Sequence, residues 1–231
     1  MFFLSSLGLI LLGYIMGSIP SGMLIVRLTT GRDIRKVGSG RTGGTNAMRA
    51  GGSFVGMLTG ISDVLKSFLA VHIVRWLFPG VFWLEVLVGL AAVIGHNNSL
   101  FSIEWKQTRF GRVPVFHGGA GGAPTLGVAA AFWFPALYIV LPIGLLVFLL
   151  VGYASVTTLV GGLVILLLFI VRAALGLSSD WYIVFAVLST ALMTWALRPN
   201  LERLRTGTER LVGVRAWLRK NSGESASEQH Q

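Results

Sequence analysis

The chain has 231 residues, 54% apolar and only 12% charged, with a formal net charge of +10. A soluble domain is about 45–50% apolar and about 25% charged, so this composition, with a mean hydropathy of +0.75, points to a polytopic membrane protein. The basic residues lie between apolar runs, the pattern of the positive-inside signal and of attraction to anionic headgroups, which excludes a soluble nucleic-acid binder; the lack of cysteine excludes disulfides and thiol catalysis and argues against a zinc site.

Backbone groups in lipid must be satisfied within the chain, and no barrel-like alternation appears, so the predicted fold is all-α with about seven transmembrane helices. The first predicted span is Phe2 to Val26, retained rather than cleaved because it lacks a basic n-region and outruns a signal peptide. Pro20, within Gly17-Ser18-Ile19-Pro20-Ser21-Gly22, is expected to kink or break it. A loop from residue 27 to 53 follows, with six Lys or Arg against one acid, Asp33. The second span, Phe54 to Phe78, carries Asp63 and Lys66 on one helix face, and His72 mid-span is expected to hydrogen-bond inside the bundle. After a turn at Pro79-Gly80, the third span, Val81 to Phe101, ends near Gly95-His96-Asn97-Asn98. A basic segment, 102–123, closes on His117-Gly118-Gly119-Ala120-Gly121-Gly122, and Pro124 opens a helix whose N-terminus suits an anion. The apolar block from Thr125 to Leu175 is read as three spans, with breaks near Tyr138 to Pro142 and Tyr153 to Thr158, and Gly161 and Gly162 allow close helix packing. The last span is Asp180 to Leu197. Residues 201–220 read as a basic amphipathic helix at the membrane surface, with Leu201, Leu204, Leu211, Val214 and Leu218 on one face, and 221–231 as a disordered tail.

Seven spans place the loops 27–53 and 102–123 and the basic tail on one side, leaving only Lys66, Arg75 and Arg172 of nineteen basic residues elsewhere. The lysine and arginine bias therefore predicts the N-terminus outside and the C-terminus in the cytoplasm. A membrane domain, 1–200, then presents both glycine-rich loops and the tail on one face. Gly38-Ser39-Gly40-Arg41-Thr42-Gly43 formally fits the dinucleotide fingerprint, but no strand or βαβ unit surrounds it. Glycines, hydroxyls and arginines together suit a phosphate: backbone N–H groups come close, and Arg49 can grip it with two prongs. No nucleophile–base pair is encoded, so an electrophile acted on here must arrive activated.

The ordered run Gly17-Ser18-Ile19-Pro20-Ser21-Gly22, Asp33-Ile34-Arg35 and Gly38-Ser39-Gly40 through Thr45-Asn46 to Arg49 resembles the bacterial acyl-phosphate:glycerol-3-phosphate acyltransferase family (the PlsY type). Asp63, Lys66 and Gly95-His96 fit as well. So does Asn200-Leu201-Glu202-Arg203-Leu204 with Gly207-Thr208-Glu209. The resemblance implies a multi-pass enzyme of the cell membrane, active on its cytoplasmic side. It would move a fatty acyl group from acyl-phosphate to glycerol-3-phosphate, giving lysophosphatidate and phosphate in the first step of phospholipid synthesis, with no cofactor and no metal. It also implies Ser39, Arg49, Asn200 and Glu209 as catalytic residues. Gly38, Gly40, Thr45, Asn46, Gly118, Gly119 and Gly121 would bind phosphate, with Asp63, Lys66 and His96 in support. The chain departs from the family pattern at four positions: Ala120 stands where a lysine is usual, Leu197 for a histidine, His117 for a lysine and Arg41 for an asparagine. Those losses motivate an alternative, a non-catalytic or altered relative that binds a phosphorylated lipid or metabolite.

Overall fold

A computed structural model describes residues 2–109 and 111–221, so the expected disordered tail lies almost wholly outside the described residues. The chain is a helical bundle: α1 (Phe2–Ser18), α2 (Ser21–Thr30), α3 (Gly44–Gly51), α4 (Ser53–Leu77), α5 (Phe82–Asn97), α6 (Gly122–Phe132), α7 (Ala136–Val151), α8 (Ala154–Ala174), α9 (Trp181–Ala196), α10 (Arg198–Arg205) and α11 (Gly213–Asn221). Strands β1 (Ile103–Thr108) and β2 (Gly111–Phe116) interrupt the series as an antiparallel hairpin, Ile103 opposite Phe116. The fold is therefore not purely helical. The segment is β-rich in Ile, Trp, Thr and Val and lies in a loop where water can satisfy its edges.

Each of the seven apolar stretches contains helix, but they differ in reach. Phe2–Thr30, Ser53–Leu77, Phe82–Ser102 and Ala154–Ala174 are each long and apolar enough to cross a membrane, and α9 with α10, bent by 61°, would make a fifth span. At 1.5 Å per residue, α6 covers only about 16 Å. It compensates by lying in the interior: every residue from Pro124 to Phe132 is buried. Its small residues allow this. A Cβ on Gly127 would come within 2.1 Å of the Val64 carbonyl, so the backbones of α4 and α6 touch there.

The break at Pro20 forms as expected, between α1 and α2, and its freed carbonyls are covered by protein. Lys66 Nζ donates to the Ile19 carbonyl at 2.7 Å and Ser99 Oγ to that of Ser18. Four expectations are corrected. The 27–53 loop begins later than expected, because α2 runs on to Thr30, and it contains α3. The first break in the long apolar block falls at Trp133-Phe134-Pro135, where Pro135 leads into α7, and Pro142 sits inside that helix. The 201–220 segment is two helices, because Gly207, with φ +72°, turns the chain and Glu209 and Val212 are buried before α11 begins. His72 is exposed and stacked on Phe68 rather than hydrogen-bonded in the bundle. Gly162 does bring α8 against α9: a Cβ there would lie 2.5 Å from Met193 Cε.

At the end of the bundle away from the polar loops, Glu85 is fully buried and tied to Arg75 at 3.0 Å and to the Tyr182 hydroxyl at 2.9 Å. Arg75 also donates to the Phe132 carbonyl at the end of α6. This network fastens α4, α5, α6 and α9 together, and Phe132 stacks on Tyr182 beside it at 4.0 Å. The opposite end holds the site.

Candidate active site

The first polar loop is organised by two side chains. Asp33 caps the short 3₁₀ turn Ile34–Lys36, accepting from the Arg35 N–H at 3.0 Å and pairing with the Arg35 guanidinium at 2.7 Å. That guanidinium pulls the Asp33 carboxyl down from its usual range to about 2. Buried Asn46 does more: its Nδ2 donates to the carbonyls of Ile34, Val37 and Arg41 at 2.8–3.1 Å, and its Oδ1 accepts the Ser39 N–H at 3.1 Å. Asn46 reaches the cavity wall, but its amide is spent on the loop, so it shapes the site rather than donating to a phosphate. Gly38 and Gly40 have φ of +54° and +71°, and a Cβ on Gly38 would fall 2.3 Å from Asn46 Oδ1. The loop delivers Ser39 and then α3, which carries Thr45 in its first turn and Arg49 one turn later.

The second glycine run does something other than cradle a ligand along its length. Gly119 donates its N–H to the His96 carbonyl at 3.0 Å, and a Cβ on it would lie 1.9 Å from His96 Nε2. A Cβ on Gly118 would meet the Asn97 carbonyl at 2.1 Å. These two glycines let the turn lie flat on the end of α5, outside the two polar spaces described below. Gly121 does line one, with Ala120, Gly122 and Ala123. The Thr42 N–H donates to the Gly118 carbonyl at 3.2 Å and joins the two polar segments.

Beneath them Lys66 Nζ lies 2.8 Å from Asp63 Oδ1 and 3.1 Å from His96 Nδ1. Asp63 and His96 reach the cavity wall, while Lys66 sits behind them, holding the α1–α2 break. From the tail, Asn200 Nδ2 donates to Glu209 Oε1 at 2.8 Å and Arg203 Nε to Glu209 Oε2 at 2.9 Å. Both Asn200 and Glu209 are buried.

Three connected spaces result. An outer cleft of about 150 Å³ is lined by Gly38, Ser39, Arg49, Asn200, Arg203, Glu209 and Arg210. An inner polar cavity of about 350 Å³ shares Ser39, Arg49, Asn200 and Glu209 with it, and adds Arg41, Thr45, Asp63, His96, Ser155 and the α6 start. An apolar groove of about 710 Å³ runs between α4, α6, α7 and α8 and meets the inner cavity at Gly60, Gly122, Ala123 and Thr158. Burial, and after it the neighbouring Arg210, pushes the Arg49 guanidinium below its ordinary value, with Glu209 opposing. With Arg49, Arg203 and Arg210 set against Glu209, the lining of the outer cleft is short of negative charge. The arrangement can hold a small phosphorylated molecule outside, a second anion inside, and an alkyl chain in the groove.

The glycerol-3-phosphate acyltransferase family model matches residues 7–207. The chain belongs to that family. Its relatives include a glycerol-3-phosphate acyltransferase of Thermus thermophilus, 40% identical over 211 residues, covering 91% of this chain and 96% of the relative. One of Rubrobacter xylanophilus is 35% identical over 211 residues, covering 90% of this chain and 96% of the relative. The crystal structure of PlsY (YgiH), an integral membrane glycerol 3-phosphate acyltransferase, in its glycerol 3-phosphate form superposes with a TM-score of 0.79 at 32% identity, over 93% of this chain and 98% of that one. Its lysophosphatidic acid form gives a TM-score of 0.76 at 31% identity over the same shares. In this acyltransferase the four residues expected to be catalytic, Ser39, Arg49, Asn200 and Glu209, lie on the wall between the two polar spaces. Sequence reasoning gave no site role to Arg203, which stood only inside the C-terminal motif run, or to Arg210, part of the basic amphipathic segment, and passed over Ser155, in an apolar block without a motif.

Proposed function

We propose that this membrane acyltransferase moves a fatty acyl group from acyl-phosphate to glycerol-3-phosphate, and that Ser39, Arg49, Asn200 and Glu209 line the reacting centre. One observation carries the reading: a polar wall bearing those four residues separates a cationic cleft of about 150 Å³ from a cavity that opens into an apolar groove of about 710 Å³. The groove suits the acyl chain, the inner cavity the reactive head of the donor, and the outer cleft the acceptor phosphate beside Arg49, Arg203 and Arg210.

In this arrangement the acceptor hydroxyl reaches the acyl carbonyl carbon across the shared wall. A carbon–oxygen ester bond forms and the bond from the carbonyl carbon to the phosphate oxygen breaks. The hydroxyl proton leaves with the phosphate, so the products are lysophosphatidate and hydrogenphosphate. Ser39 Oγ has no hydrogen bond to a histidine or carboxylate among the described residues, which supports direct transfer over an acyl-serine intermediate. Positioning and neutralised charge then supply the rate. Ser39, Ala120 and Asn200 come from three different basic segments yet line one cavity, which supports placing those segments together on the cytoplasmic side, with seven membrane-embedded segments, the N-terminus outside and the C-terminus inside.

The test is phosphate release by purified protein in detergent from palmitoyl-phosphate and glycerol-3-phosphate. Ser39→Ala and Arg49→Ala should each lower kcat/KM by about a hundredfold or more, the scale of losing a group that stabilises charge in a dry site. Wild-type rates in both variants would overturn the assignment.

A further inference from the structure

Four arginines converge on the polar spaces, and they are not shared equally. Arg203 and Arg210 line the outer cleft, Arg49 lines both spaces, and Arg41 lines the inner cavity and not the outer cleft. Arg41 donates to the carbonyl of Ala196, the last residue of α9, and makes no ion pair among the described residues. Burial first, then Arg203, pushes its guanidinium below its ordinary value, with Glu209 pulling the other way. An arginine so placed keeps its proton and calls for a counter-anion. Glu209 is already held by Asn200 and Arg203.

Its surroundings are built for an anion. Ser155, in the first turn of α8, is 1% exposed and its Oγ has no hydrogen-bond partner among the described residues. Gly44 and Thr45 at the start of α3, Gly122 and Ala123 at the start of α6, and Ala154 with Ser155 at the start of α8 line the same cavity, so three helix N-termini bring their positive ends to it. Ala120 and Leu197 also line it and bring no charge. The apolar groove opens here and not into the outer cleft. A molecule with its alkyl chain in the groove therefore sets its head group beside Arg41.

We infer that Arg41, with Ser155, binds the phosphoryl group of the acyl donor, leaving Arg203 and Arg210 to the phosphate of the acceptor and Arg49 between the two. The inference rests on the acyl-phosphate reading above and gives each of its two phosphates a cation of its own, on either side of Arg49. The experiment is steady-state kinetics of the full chain with each substrate varied in turn. Arg41→Asn should raise KM for palmitoyl-phosphate about ten- to a hundredfold, the scale of one charge-assisted hydrogen bond, and leave KM for glycerol-3-phosphate nearly unchanged. Arg210→Gln should do the reverse. Ser155→Ala should raise only the donor KM, and by less. Adding Ala120→Lys to Arg41→Asn puts an ammonium into the same cavity and should recover much of the donor KM. That double variant and Arg41→Lys keep the test decisive should Arg41→Asn fold poorly. An equal rise in both KM values, or a donor KM indifferent to Arg41, would overturn the inference while leaving the acyl-phosphate reading standing. A wild-type protein inactive with palmitoyl-phosphate would instead remove that reading, and this inference with it.

Discussion

Asn46 carries much of the first loop on one amide group, bonding three carbonyls and one N–H drawn from residues 34 to 41. Truncation to alanine would leave buried acceptors unpaired, at about 1–3 kcal/mol for each one that water cannot reach. Asn46→Ala is expected to lower the unfolding temperature in detergent and to raise KM for both substrates together, because Ser39 and Arg41 move with the loop. An unfolding temperature equal to the wild type would refute this role. The contrast with Arg49 explains what could be read at this scale. An arginine in a glycine-rich run advertises anion binding by its chemistry alone, and Arg49 lies on the wall of both polar spaces. Asn46 offers the same donors to a ligand or to its own loop, and only the fold shows that the loop takes them. Gly118 and Gly119 are alike in this respect: closeness to a ligand and closeness to α5 call for the same absent side chain.

At the scale of elements, hydropathy and proline set the long helices within a few residues, as α4 and α9 show. It failed where a break depends on three-dimensional context. Pro135 and Pro142 are both prolines in an apolar run, yet α7 begins after one and continues through the other. The tail was misread because a helical pattern of leucines says nothing of Gly207, where the chain turns to carry Glu209 inward. The β1–β2 hairpin and the α8–α9 connection give a direct test of sidedness, since the chain has no native cysteine. Gln107 and Leu177 are both exposed and touch neither polar space. With Gln107→Cys and Leu177→Cys made separately, a membrane-impermeant maleimide should label residue 177 in intact cells and residue 107 only after the membrane is opened. The opposite pattern would reverse the proposed orientation.

Taken whole, the molecule is a bundle fastened at one end and open at the other. The Arg75–Glu85–Tyr182 network and the aromatic stack hold α4, α5, α6 and α9 away from the site. At the other end the helices part into polar spaces and an apolar groove. That division follows from α6, whose short, small-residue helix lets α4 pack close while its N-terminus stops at the level of the inner cavity. On the proposed reading, a soluble acceptor and a membrane-dissolved donor would meet there without either leaving its own solvent. The most direct test supplies purified wild-type protein with palmitoyl-phosphate and labelled glycerol-3-phosphate and follows both products. Lysophosphatidate and phosphate should appear in equal amounts, with neither formed when palmitoyl-phosphate is replaced by palmitoyl-CoA. Saturable glycerol-3-phosphate binding without lysophosphatidate, or transfer from palmitoyl-CoA instead, would contradict the account.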